Sequence, residues 1–291
     1  MNYEIKSENG LKLEVSDQGA EMTSLTLNGT EYLWQGDPAY WTEHAPVLFP
    51  FVGRFTDGKY CLGEKEYPML IHGFAKRSAF QVEKKSESSV TMTLTDSEKT
   101  LEQYPFHFCL KVTYSVQKNR VSVKFHVENR DDTMMYFGIG GHPGFNVPLE
   151  QGLSFEDYYL QFAETCRPDR VIHTEDCFVA GRTEHFALED GRIIRLHHDL
   201  FDDDAIVLQD ECDCVTLRSD KGQRAVTVSY PGLPYLGIWH KPKSDAHYVA
   251  IEPWVSLPSR KGIVEDFRYK NDLVRLPGKK NWETEWYITV Q

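Results

Sequence analysis

The sequence is short of positive charge. Lysine and arginine number 32 against 44 aspartates and glutamates, a formal net charge of −12 at pH 7 over 291 residues. Nucleic acids and anionic membranes are bound by clustered Lys and Arg, so this balance argues against both, while leaving room for a local basic pocket. No stretch approaches the ~20 consecutive apolar residues of a membrane-spanning helix. The opening MNYEIKSENGLKLEV has no basic region followed by an apolar run, so no secretory signal is expected. The six cysteines, Cys61, Cys109, Cys166, Cys177, Cys212 and Cys214, form no C-x-x-C pair, and the CDC at 212–214 is too tight for the usual zinc spacing. Free thiols in a reducing cytoplasm are therefore expected. G-x-x-x-x-G-K-S/T, a strand-linked G-x-G-x-x-G and G-x-S-x-G are all absent, which removes support for nucleotide binding and for a hydrolase elbow. Helical patterning is scarce too. Only SEKTLEQYP, residues 97–105, reads as a short helix or single turn, stopped by its proline.

What is present is alternation with period two. In RVSVKFHVEN, Val121, Val123, Phe125 and Val127 fall on one face and Ser122, Lys124, His126 and Glu128 on the other. SVTMTLT, FCLKVTYSV, RAVTVSY, YLGIWH, YVAIEPW and EWYITV read the same way and are rich in β-branched and aromatic residues. Asn28-Gly29 between two such runs is a strong hairpin signal. Hydrophobic residues at 41 % and aromatics at 13 % suffice for a packed core. No βαβ rhythm, repeat or low-complexity linker is present. The acidic DLFDDDA and the polar tract from about 174 to 190 read as loops. The expectation is an all-β chain, a single domain over 1–291, built as an antiparallel sandwich or barrel.

Four segments carry chemistry. HAPVLFPFVGRF ends in Gly53-Arg54, MLIHGFAKRSAF holds His72-Gly73, GIGGHPGFN holds His142, and HYVAIEPW holds Glu252. Read as a strand, HYVAIEPW puts Tyr248, Ala250, Glu252 and Trp254 on one face, with Pro253 a candidate end of regular pairing. Apolar neighbours raise a carboxyl pKa toward values useful to a base at neutral pH, and flat rings stack on the apolar face of a sugar. The plainer reading of Glu252 is an ion pair at a sheet edge, and of His142 and His72 a loop or cap residue. Arg54 reads equally as a surface pair. His126 faces solvent. His197-His198 resembles a metal tract, but adjacent strand residues point to opposite faces.

Taken in order, LFPFVGRF, IHGFAKRSAF, GGHPGFNVPL, LFDDDAIVL and LGIWHKP with YVAIEPW resemble the galactose mutarotase (aldose 1-epimerase) family, nearest its LacX-like bacterial branch. The resemblance covers nearly the whole chain. It implies a large antiparallel β-sandwich and interconversion of α and β anomers of a hexose or related sugar, by acid-base opening and closure of the ring. No metal or organic cofactor is implied, and the implied partner is a small sugar. By the match of motifs, Glu252 is the general base and His142 the general acid toward the ring oxygen. His72, Arg54, Trp254 and an aspartate in DDDAIVL contact the sugar; Asp204 is favoured and Asp203 is the alternative by a one-residue slip.

The GGHPGFN continuation departs from the usual Tyr-Phe-Asn-Leu, so a preference for galactose does not carry over. Lys76 and Arg77 would suit a hexose 6-phosphate or be merely solvated. Three other readings stand beside this one. A non-catalytic carbohydrate-binding sandwich would use Trp239 and Trp254. A cupin-like metal site would use His72, His142 and Glu252. Glycoside hydrolysis would pair Asp204 with Glu252.

Overall fold

The computed structural model describes residues 1–209 and 212–291. Two large antiparallel sheets of nine and eight strands carry the architecture, with a four-stranded sheet from residues 2–31 beside them. Most of the period-two segments lie in the nine-stranded sheet, while YLGIWH and YVAIEPW enter the eight-stranded one. In Arg120–Asn129 the side chains of Val121, Val123, Phe125 and Val127 are fully buried, and the intervening residues are half-exposed. This strand lies between Phe108–Gln117 and Asn281–Val290. Their inward faces join one apolar cluster that runs from Ile5 to Val290. Each fully buried Val, Leu, Ile or Phe stabilises such a core by roughly 1.5–3 kcal/mol. His126 lies on the outward face and holds Glu283 and Glu128.

Local signals place the connections. Asn28 and Gly29 both have positive φ, 53° and 82°, and join Met22–Leu27 to Thr30–Glu31 as a two-residue hairpin. Ser97 caps the helix Glu98–Gln103 in a reciprocal box with Thr100, and the helix ends just before Pro105. No helix among the described residues is long and apolar enough to cross a membrane.

The eight-stranded sheet positions the pocket. Its order is Val179–His185, Asp169–His173, Ile206–Gln209, Tyr235–Trp239, Tyr248–Val255, Ile139–Gly141 and Val47–Leu48, with Gly144–Asn146 also paired to Tyr248–Val255. All eight residues of Tyr248–Val255 are buried, as expected for a strand covered on both faces.

Four readings of the sequence are corrected here. Pro253 does not end its strand; its missing N–H falls where the facing strand is itself interrupted, between Gly141 and Gly144. The tract from 174 to 190 contains the strand Val179–His185, at the sheet edge and almost wholly exposed, so no burial alternation marks it. His197 and His198 are not on a strand but at a 3₁₀ turn, where His197 bonds Asp199 and His198 stacks on Phe155. Cys166 and Cys212 are not free but form a disulfide, because two loops distant in sequence bring their Cα atoms to 6.3 Å, within bonding range. Cys61, Cys109, Cys177 and Cys214 are free.

The glycines of GIGGHPGFN answer mainly to crowding. A Cβ on Gly141 would lie 2.4 Å from the Trp286 ring, one on Gly140 2.7 Å from the Trp254 ring, and one on Gly144 2.9 Å from Trp41. Trp286 is 1 % exposed and has nowhere to retreat. Gly141→Ala should therefore overpack the core and cost about 1–3 kcal/mol. The check is urea unfolding: the midpoint should fall with the slope unchanged.

Candidate active site

The site begins with a register. Ile139 pairs with Val255 and Gly140 with Trp254; beyond the interruption, Gly144 pairs with Ala250 and Phe145 with Val249. The same register continues through the gap and sets His142 directly opposite Glu252. The Pro143 carbonyl accepts from the Ile251 N–H at 3.1 Å, and the His142 N–H donates to the Pro46 carbonyl at 3.1 Å, so the interrupted segment is held on both sides. His142 Nε2 lies 3.2 Å from Glu252 Oε2. On the other flank Glu252 pairs with Gly237, whose missing side chain leaves room for the Trp254 indole.

A second junction fixes His72 and Arg54. The His72 N–H donates to the Gly53 carbonyl at 2.8 Å, and the Gly53 N–H donates back to His72 Nδ1 at 3.1 Å. The imidazole is thereby held as the Nε2–H tautomer, with a donor to spare. Gly53 (φ 78°) lies against Pro258, and Gly73 (φ 70°) against the Phe49 carbonyl; a Cβ would sit 2.3 Å and 2.2 Å from them. Positive φ and lack of space together require glycine at both. The His72 and His142 rings meet edge to face at 5.6 Å.

These elements enclose a cavity of about 260 Å³, near the lower end of small-molecule sites. Arg54, His72, His142, Asp204, Glu252 and Trp254 all line it. Asp204 accepts from the Trp239 indole at 2.7 Å, whereas Asp203 is exposed and outside the lining. Of the aromatic rings, Trp254 is wedged between Gly140 and Gly237 and is 4 % exposed. Trp41 lies across His142 at 4.8 Å and meets Trp239 edge to face at 5.6 Å. Lys76 and Arg77 part company. Lys76 is in the pocket wall, bonded to Glu43 at 2.7 Å, while Arg77 turns away to the carbonyls of Ile71 and Gly73. Among the described residues, no group of three or more His, Cys, Asp or Glu side chains is placed to hold a metal ion.

Trp41, Glu43, His173 and Cys177 also line the cavity, and sequence reasoning missed them. Trp41 and Glu43 stand just ahead of a flagged segment, in the aromatic-rich AYWTEH, which was the available signal. Cys177 sits in the tract read as loop and His173 ends the strand just before it, and neither carries a pattern of its own.

Burial governs the charges. It pushes the Glu252 carboxyl well above the usual carboxylate range, and the Asp204 charge adds to this; the nearby Trp254 indole and Lys76 ammonium offset part of the rise. Burial lowers the His142 imidazole to about 3, helped by Lys76. His72 is also held well below 6.5, by its surroundings first and then by His142 and the neighbouring cations. The free site thus favours an uncharged pair, a protonated carboxyl beside a neutral imidazole. The 3.2 Å contact is not aligned as a hydrogen bond. Glu252 Oε2, His142 Nδ1, His173 Nδ1 and the Trp254 indole nitrogen are all buried without a hydrogen-bond partner among the described residues.

The aldose 1-epimerase family model matches residues 1–265. Protein LacX (plasmid form) of Lactococcus lactis subsp. lactis is 34 % identical over 269 residues, 88 % of each chain. A galactose mutarotase related enzyme from Lactobacillus acidophilus superposes with a TM-score of 0.95 at 34 % identity, over 100 % of this chain and 97 % of that one. A galactose mutarotase-like protein from Lactobacillus casei gives 0.95 at 33 % identity over the whole of both chains. Those sandwich structures share the antiparallel sheets and topology described above, and with the family match they settle the affiliation: this chain belongs to the aldose 1-epimerase family.

Proposed function

We propose that the protein is a mutarotase, interconverting the α and β anomers of a free aldose with Glu252 and His142 as its acid-base couple. The observation that carries this reading is the buried carboxyl and imidazole, 3.2 Å apart in the lining of a small cavity, each with a polar atom that has no partner among the described residues. The couple holds one proton to be shared. Carboxylate with imidazolium, and carboxyl with imidazole, have the same proton count, so the couple passes between them without net exchange with solvent.

From the charged form, Glu252 takes the proton of the C1 hydroxyl while His142 gives its proton to the ring oxygen. The C1–O bond to that oxygen breaks, and the open hydroxy-aldehyde is left beside an uncharged couple, the form that burial favours. Rotation about C1–C2 presents the other carbonyl face. The former ring hydroxyl then attacks C1, His142 recovers its proton, and Glu252 returns one to the new C1 hydroxyl. Arg54, with no ion-pair partner among the described residues, and the spare His72 Nε2–H bind sugar oxygens; Asp204, oriented by Trp239, accepts from a sugar hydroxyl. Trp41 and Trp239 offer ring surface for the sugar's C–H face. A phosphorylated sugar is less well served, since Lys76 is paired and Arg77 points away.

Proton NMR of the anomeric region tests this. Freshly dissolved α-glucose, α-galactose and their 6-phosphates are followed to equilibrium with and without protein. Acceleration is expected, and Glu252→Gln or His142→Asn should reduce it about 10²–10⁴-fold. Sugar binding without acceleration by the wild type would make this a sugar-binding protein on the same scaffold. Arg54→Ala should raise KM by about 10–100-fold, as for loss of a charged hydrogen bond, and an unchanged KM would remove Arg54 from the sugar.

Stability should move the other way. The folded-state pKa of Glu252 is raised, so its contribution is fully present below the unfolded carboxyl pKa and is lost as pH rises through the folded value. Glu252→Gln removes that loss. Its thermal midpoint should exceed the wild type's at pH 8, and the gap should close toward pH 4.5.

A further inference from the structure

Lys76 is an unusual wall residue for this pocket. It lies in the short 3₁₀ turn Ala75–Arg77, whose start is fixed because the Phe74 and Ala75 N–H groups both donate to the Phe49 carbonyl at 3.0 Å. Its side chain is 8 % exposed, and its ammonium meets Glu43 Oε2 at 2.7 Å across the cavity wall. Glu43 is one-third exposed, but the Lys76 ammonium has given up most of its hydration, a loss that offsets much of the pair's attraction. A place beside the reacting groups gives it a use.

The groups around the couple set the field it feels. From the loop before Ile206–Gln209 comes Asp204; from the 53–54 and 72–73 junction come Arg54 and His72. His173 and Cys177 close the side, and Tyr248 lies on the Glu252 strand itself. Asp204 opposes ionisation of Glu252. Among the described residues, Lys76 is the one cation that acts on both members of the couple, favouring loss of a proton from each.

We infer that Lys76, pinned by Glu43, is a positioning residue for the mutarotase reaction: a cation fixed in the pocket wall that sets the proton occupancy of the Glu252–His142 couple. The inference rests on the mutarotase reading of the site. Glu43 acts in the opposite sense, by cancelling part of the ammonium's charge. The two halves of one ion pair should therefore move the couple in opposite directions, which a merely structural pair would not do.

The experiment measures kcat and kcat/KM against pH for Lys76→Met, Lys76→Arg and Glu43→Gln, on the sugar the wild type turns over fastest. In Lys76→Met both limbs of the profile should shift to higher pH by about one unit, the size of a charge interaction at several ångströms in a partly screened site. Lys76→Arg should restore the wild-type limbs, and Glu43→Gln should shift them to lower pH. Lower rates with fixed limbs would overturn the inference in favour of a structural pair. A raised KM with fixed limbs would overturn it in favour of direct sugar binding. If Lys76→Met does not fold, the direction of the Glu43→Gln shift decides.

A second readout is independent of turnover. The ¹³C carboxyl signal of Glu252, identified by its loss in Glu252→Gln, is titrated in the sugar-free protein. Its midpoint should rise in Lys76→Met and fall in Glu43→Gln. These shifts without any sugar turnover would sink the mutarotase reading but keep the electrostatic link. Unmoved midpoints in an active enzyme would do the reverse.

Discussion

The site depends on one register. Tyr248–Val255 is held between Tyr235–Trp239 on one side and the interrupted pair Ile139–Gly141 and Gly144–Asn146 on the other. Because the same register holds above and below the interruption, His142 has only one place to be, across from Glu252. A slip of one residue would send either side chain to the opposite face of the sheet. The side chains that enforce the register are those for which the glycines make room. Trp254 fills the space left by Gly140 and Gly237, and Trp286 the space left by Gly141. Packing in the sheet thus fixes the distance between Glu252 and His142.

Placing those groups in a buried strand opposes stability. An ionised carboxylate deep in the protein loses hydration that a single imidazole neighbour does not replace, so the resting couple is uncharged. The surrounding charges are largely committed in advance: Lys76 to Glu43, and Asp204 to the Trp239 indole. The Arg54 guanidinium and the His72 Nε2–H have no partner among the described residues, and both residues line the cavity. The arrangement separates groups that set the field from groups left over for a ligand. In the proposed reaction the couple moves toward its uncharged form as the ring opens, so the burial that disfavours ionisation would also favour that first half.

Much of this was legible in the sequence, for identifiable reasons. Arg120–Asn129 and Tyr248–Val255 are strands where period-two alternation or β-branched and aromatic residues say so, and Asn28-Gly29 turns where its φ preference says so. The four segments that mix Gly or Pro with polar residues all reach one cavity. What stayed hidden lacks a local signature. The edge strand Val179–His185 buries too little to alternate, and the Cys166–Cys212 contact spans 46 residues. Lys76 and Arg77 are neighbours in sequence with opposite fates, since the tight turn aims one at Glu43 and the other at backbone carbonyls. Nor does any pattern in Trp41 or Glu43 reveal that their segment folds over His142; that follows from tertiary packing alone.

The unpaired atoms argue for the kind of ligand. A buried polar group without a partner costs roughly 1–3 kcal/mol, and native structures keep few of them. Among the described residues eight such side-chain atoms occur, and four of them, Glu252 Oε2, His142 Nδ1, His173 Nδ1 and the Trp254 indole nitrogen, belong to residues that line one cavity. An apolar ligand would leave all four unpaired. A simple anion would meet Arg54 but also Asp204 and Glu43, whose charges oppose it. A compact ligand rich in hydroxyls meets both demands, because each hydroxyl both donates and accepts and so suits a carboxyl, an imidazole nitrogen or an indole N–H. Its C–H faces can also lie against Trp41 and Trp239. On the proposed reading, the hydrogen-bonding groups of the cavity and its rings are therefore complementary to the same molecule.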